Sequence, residues 1–193
     1  MTWTSKMGVV YSRCCVLFFF TGGGGIRKPG LARGIGSVYK GQVLPSHLPF
    51  APPPTRLEDP SILPIRQTEL GFSMQTAYDD EYTGPGFDPA EGERLVGAIG
   101  DKSILLMANH GAVTIGRTVA AAYDRMYYLE RVAQVQMYAM WTGQPLHVLS
   151  QDVIDKTIEQ FKKSPTYYGR PNAEHHFDAL KRMLDREQPD YAN

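Results

Sequence analysis

Two short stretches carry the residues best able to do chemistry: VLPSHLPFA at 43–51, with His47, and LLMANHGAVTIG at 105–116, with His110. Imidazole is the commonest side-chain metal ligand, and it also titrates near neutrality. A histidine followed by glycine at the end of a buried strand is well placed for metal chemistry. The strand fixes the direction of the ring, Gly111 has no Cβ to block an approaching group, and Asn109 can hydrogen-bond locally. The same residues also describe a plain polar histidine beside a turn, so residue type alone leaves both readings open. Cysteine adds nothing to the donor set: Cys14 and Cys15 are adjacent, and no CxxC or Cys/His zinc spacing exists.

The elements around these histidines follow from pattern. Residues 103–116 read as a hydrophobic run, a polar interruption at Asn109-His110-Gly111 and an alternating run, hence two strands or one bent at the glycine. Thr118 is placed to cap a long helix through Trp141, with Val119, Ala122, Met126, Leu129, Ala133, Met137 and Met140 on one face and Gly143 and Pro145 beyond its end. Its methionines suit a core or a subunit interface. Upstream, Asp88, Pro89 and Glu91 predict a capping box opening a helix from Pro89 to about Ile99, stopped by Gly100, with Leu95, Val96 and Ile99 apolar. APPPTRLEDP (51–60) excludes both helix and central strand. A short strand is expected at Ile62–Gln67 and an acidic, solvated loop from Ala77, including Asp79, Asp80 and Glu81. Helices are expected near Gln151–Lys163 and Ala173–Glu187. Strands alternating with helices indicate a layered α/β domain.

Composition narrows the class. The chain has 193 residues, 42% hydrophobic and 21% charged, with a formal net charge of zero, which reads as one soluble domain. Neutrality argues against nucleic acid as a partner. The balance is uneven, however. Residues 1–57 contain no Asp or Glu but hold Lys6, Arg13, Arg27, Lys28, Arg33, Lys40 and Arg56. The apolar run at 14–20 is far shorter than the ~20 residues of a membrane-spanning helix, and no A-x-A site follows it. TGGGG at 21–25 lacks the GK[ST] ending of a phosphate-binding loop. Residues 1–42 therefore read as an atypical segment without expected order, preceding a domain over 43–193. An intracellular, cytoplasmic protein with no membrane partner is expected.

The string ANHGAVTIGRTVAAAYDRMYYLERVAQVQ (108–136) resembles the class II aldolase/adducin family, through NHG, a V-x-x-G-x-T-V-A-x-A turn into a helix, YYLER and a Gln-bearing tail. YDDEYTGPGFDPAEGERL (78–95) and LEDPSILPIRQTE (57–69) extend the similarity upstream. The resemblance implies a three-layer α/β/α domain around a mixed, largely antiparallel sheet, commonly a homotetramer with sites between neighbours. It implies a metal-dependent aldehyde-lyase or epimerase acting on a small sugar-like or hydroxy-carbonyl substrate. In such enzymes a divalent metal, usually zinc, is held by an H-x-H pair and the NHG histidine, and neutralises an enediolate as a Lewis acid.

Carried over by position, His110 matches the third metal ligand and His47 the second histidine of H-x-H. Pro45 stands where the first would be. The family's upstream glutamate has no counterpart either, since no carboxylate precedes Glu58. A zinc or other divalent ion is then expected to bind weakly, with activity impaired and the catalytic residue unknown. The alternatives are a non-catalytic, adducin-like scaffold or an inactive remnant. Tyr127 and Tyr128 read as packing residues. His147, His175 and His176 read as surface residues, and Glu130 with Arg131 as an exposed local ion pair.

Overall fold

The computed structural model describes residues 9–12, 15–18, 42–46, 50–51, 53–81, 89–163 and 173–189, with only the backbone considered at 9–18, 42–46, 53–54 and 89–90. Asp88, the glycine run at 22–25 and His47 lie outside the described residues. Two short strands, β1 (Val9–Ser12) and β2 (Cys15–Phe18), pair antiparallel as a separate ribbon.

The main sheet has the order β3-β6-β5-β4, formed by β3 (Gln42–Ser46), β6 (Gly111–Gly116), β5 (Ile104–Met107) and β4 (Thr76–Asp79). β3 and β5 run antiparallel to β6, and β4 runs parallel to β5, so the sheet is mixed and mainly antiparallel. Five α-helices accompany it among the described residues, α1 (Gln67–Ser73), α2 (Pro89–Ile99), α3 (Val119–Trp141), α4 (Gln151–Lys163) and α5 (Ala173–Glu187), and one turn of 3-10 helix, Pro53–Arg56, forms in the proline-rich stretch expected to exclude a helix.

Both faces of the sheet are covered, so β5 and β6 are buried throughout rather than alternating. Side-chain alternation along β5 and β6 sends Ile104, Leu106 and Ala112 to one face, where they pack with Ala122, Met126, Leu129, Val132 and Ala133 of α3. Leu105, Met107, Val113 and Ile115 point the other way and pack on Leu95 and Ile99 of α2. This is the expected three-layer α/β/α arrangement. α1 packs on α3 and α4, and α5 lies along α3.

The long helix starts where the sequence places it: the Thr118 hydroxyl accepts from the Ala121 amide at 3.1 Å. α2 ends at Gly100, in the left-handed region with φ +54°. Two expectations are corrected. Ile62–Gln67 is not a strand: the Ile62 amide donates to the Tyr78 hydroxyl and the Leu63 amide to Gln136 Oε1, so side chains take the place of a ladder, and α1 begins at Gln67. Residues 77–79 are not loop but belong to the edge strand β4, whose buried ends are polar: Thr76 donates to Phe72 O, and Asp79 binds Arg94.

On α3, Met126 is core, but Met140 is exposed. His147 and His175 are exposed as expected. His176 is instead half-buried, its Nδ1 2.8 Å from Oδ1 of buried Asp124 and its ring 4.7 Å from that of Tyr127. It fastens α5 to α3, a pairing across 52 residues that no local pattern announces.

Candidate functional site

His110 ends the three-residue turn that joins β5 to β6, where Met107 pairs with Gly111. The turn closes with the His110 amide donating to Met107 O at 3.1 Å. Asn109 takes the left-handed conformation, φ +54°, which asparagine tolerates better than most residues with a Cβ. Two contacts hold the turn from outside. The Ala108 amide donates to Asp79 O at 2.7 Å, and the Asn109 amide donates to the carbonyl of buried Thr55 at 3.0 Å. The imidazole is half-buried.

Asp79, whose carbonyl supports this turn, is itself fixed from α2. Its Oδ1 and Oδ2 accept from Nη1 and Nη2 of Arg94 at 2.6 and 2.8 Å, a two-pronged pair. Arg94 also donates to both oxygens of Glu91, and these two carboxylates, Glu91 first, hold its guanidinium protonated well above the ordinary arginine range. Asp79 is therefore no solvated loop residue, and both its oxygens already serve Arg94.

β3 brings the second stretch to the same end of the sheet. Its register runs from Gln42 opposite Gly116 to Ser46 opposite Ala112, two residues beyond His110. Facing Cα atoms of an antiparallel pair stand about 5 Å apart, so β3 finishes beside the NHG turn. His47 follows directly but lies outside the described residues. Pro45, at the place of the first H-x-H histidine, pairs with Val113.

The chain resumes at Phe50 and Ala51, whose amides donate to Oε1 and Oε2 of Glu130 at 2.9 and 2.7 Å. Glu130 is thus no exposed partner of Arg131. It is buried in the middle of α3, and desolvation pushes its carboxyl above the ordinary glutamate value, opposed by the two amides. Two turns on, buried Gln136 donates to Ser61 O at 2.9 Å and accepts from the Leu63 amide. The YYLER and Gln positions of α3 therefore hold the proline-rich connection of 50–64. Sequence reasoning missed them because each acts on chain more than 70 residues away.

Among the described residues no three His, Cys, Asp or Glu side chains gather as a metal group. Proline at 45 has no donor atom to offer in β3. The described residues do not complete a catalytic zinc site, which keeps three protein ligands.

Residues 43–137 match the model of the Class II Aldolase and Adducin N-terminal domain, the span that runs from β3 to near the end of α3. The chain belongs to the class II aldolase and adducin family. A putative aldolase class 2 protein of Caulobacter vibrioides is 32% identical over 133 residues, which are 68% of this chain and 50% of that protein. A solved aldolase II superfamily protein from Pseudomonas syringae superposes with a TM-score of 0.72 at 32% identity, over 85% of this chain and 64% of that one. The L-fuculose 1-phosphate aldolase of Glaciozyma antarctica shares the fold, with a TM-score of 0.64 at 18% identity over 81% of this chain and 59% of that one. This class II aldolase relative spans about half the length of the curated aldolase class 2 proteins it matches. No described helix is long and apolar enough to cross a membrane.

Proposed function

We propose that this chain is a class II aldolase-like protein of the aldehyde-lyase or epimerase type, directed at a small sugar-like or hydroxy-carbonyl substrate. Its cation site is reduced to His47 and His110, so zinc or another divalent ion binds weakly and turnover is impaired. The domain extends over 43–193, assembles as a homotetramer and works in the cytoplasm. The observation that carries this reading is the register of β3 on β6: β3, the strand that precedes His47 in the sequence, ends at Ser46 opposite Ala112, beside the turn that carries His110. Family membership supports the reaction class, and the name of the Glaciozyma antarctica neighbour, an L-fuculose 1-phosphate aldolase, supports the substrate class.

One observation favours a second reading, a non-catalytic adducin-like module: Pro45 at the first ligand position. A gain-of-ligand variant separates the two. A lost ligand costs several kcal/mol of zinc binding, so Pro45→His is expected to tighten zinc by about 100-fold or more in a titration of the purified protein. His110→Ala should abolish that gain. A Pro45→His protein that folds normally yet binds zinc no better than its parent overturns the two-histidine site and leaves the non-catalytic reading.

A further inference from the structure

Asp124 places a buried carboxylate on α3, and His176 of α5 meets it. Nδ1 lies 2.8 Å from Oδ1, with the carboxylate side chain 4% and the imidazole 21% exposed. An ionised carboxylate only accepts, so Nδ1 carries the proton and the lone pair of the neutral ring falls on Nε2. Nε2 makes no hydrogen bond to a described residue. We propose that His176 is the nucleophile of a second reactive centre, oriented by Asp124, which takes the acyl group of a small activated aryl ester and passes it to water.

Holding α5 on α3 does not require this pair. Thr118 donates to Glu174 Oε1 at 2.9 Å, and Phe177 stands edge-on to Tyr123 at 5.5 Å, so neighbours on either side of His176 already tie the helix down. Burying a carboxylate is costly unless it is well bonded, and here it fixes a ring that is itself only partly covered. Asp124, Tyr127, Tyr128 and Arg131 follow the i, i+3, i+4, i+7 spacing of one helical face. On that face the imidazole lies 4.7 Å from Tyr127 and 5.8 Å from Tyr128 between ring centres, and the Arg131 guanidinium stands 4.9 Å over Tyr127. Aromatic surfaces of this kind favour a flat leaving group. A cation on the same face suits the negative charge that develops on an aryl oxide. The centre lies apart from the NHG turn: α3 crosses the Gly116 end of β6 at Ala122, two residues before Asp124, whereas His110 precedes the Gly111 end.

Water is the only co-reactant. Nε2 adds to the ester carbonyl carbon, the bond to the aryl oxygen breaks, and the aryl oxide leaves with the electron pair. Asp124 stabilises the positive ring and keeps the proton on Nδ1. Water then adds to the acyl carbon and the bond to Nε2 breaks, restoring the neutral ring. The two protons of that water end on the phenol and the carboxylic acid.

The test is hydrolysis of p-nitrophenyl acetate by the full chain, in EDTA so that metal-bound hydroxide adds nothing. His176→Gln should lower the rate per chain about tenfold or more, while His147→Gln and His175→Gln, at exposed imidazoles, keep it within about twofold. Asp124→Asn should lower kcat about tenfold with KM little changed, the split expected of an orienting group. An unchanged rate in His176→Gln, or an equal loss in the exposed-histidine variants, overturns the proposal. If His176→Gln or Asp124→Asn does not fold, labelling of the parent chain with diethyl pyrocarbonate, read residue by residue by mass spectrometry, decides it. An oriented Nε2 is modified faster than exposed His147 although its ring is partly covered. Slower modification marks a packing histidine and overturns the proposal.

Discussion

Gly116 closes β6 where the start of α3 passes over it, and adding a single methyl there should be among the most damaging small changes in the chain. A Cβ at this position would stand 2.3 Å from the Ala122 nitrogen, 2.8 Å from the Ala121 carbonyl carbon and 2.9 Å from the Ala122 Cα. Ordinary carbon contacts begin near ~3.5 Å, so strand and helix must part by about 1 Å. All three neighbours are main chain, which no rotamer change can clear. Overpacking of this kind costs roughly 1–3 kcal/mol or more. Pulling α3 away also strains the Thr114 bond to Ala122 O, worth about 1 kcal/mol. The stiffer unfolded chain returns roughly 0.4–1 kcal/mol. Gly116→Ala should therefore lose about 3 kcal/mol, a large share of the ~5–15 kcal/mol that folds a typical domain.

Gly97 supplies the control. It sits on the exposed side of α2 with nothing within 4 Å of an added Cβ, so Gly97→Ala should gain about 0.8 kcal/mol from helix propensity alone. Urea denaturation followed by circular dichroism measures both, and with a slope of about 2 kcal/mol/M the Gly116 variant should melt roughly 1.5 M earlier. A Gly116→Ala protein within 0.5 kcal/mol of its parent would refute the close approach of strand and helix.

Two further outcomes are expected. Arg94→Gln leaves buried Asp79 without its two-pronged partner and should cost about 3 kcal/mol. Because Asp79 O receives the Ala108 amide, hydrogen exchange at Ala108 should speed up too, and an unchanged rate would disprove that link. Glu69 is fully buried, and desolvation raises its carboxyl above the ordinary 4.5 despite the Arg66 guanidinium. The folded chain then holds this proton longer than the unfolded one, so stability falls as pH rises from about 4.5 through the folded value. Glu69→Gln should flatten that fall in a series of unfolding free energies against pH, and an equally steep or steeper slope contradicts the sign.

The parts of the fold legible in the sequence are those set by neighbours along the chain. Thr118 caps α3 with its own hydroxyl, Gly100 ends α2 in the left-handed region, and α2 buries Leu95 and Ile99 as its pattern requires. The V-x-x-G-x-T-V-A-x-A string was readable as a turn into a helix, and the approach of Ala122 to Gly116 gives its glycine a reason. What escaped detection depends on distant partners. β4 hides behind polar ends because Thr76 and Asp79 are satisfied by Phe72 and Arg94. The stretch 62–66 carries apolar residues yet forms no strand, because Tyr78 and Gln136 take its amides first. At the candidate site, the polar break between two strands was legible, but the bend falls on left-handed Asn109 and not on Gly111, which belongs to β6, and Glu130 was mistaken for a surface charge. Its role is visible only when Phe50 and Ala51 are seen against it.

The register of β3 also has a consequence for biosynthesis. Its partner residues on β6 lie 66 to 74 positions downstream. At a ribosomal pace of about 5–20 residues per second, β3 waits roughly 3–15 s before the strand that will pair with it has been made. During that wait it is a short, unpaired segment with its amides on offer to any passing chain. Proline at 45 withholds one of those amides, a device that blunts unwanted strand pairing. Pro45 thus makes a nascent β3 a poorer template for aggregation.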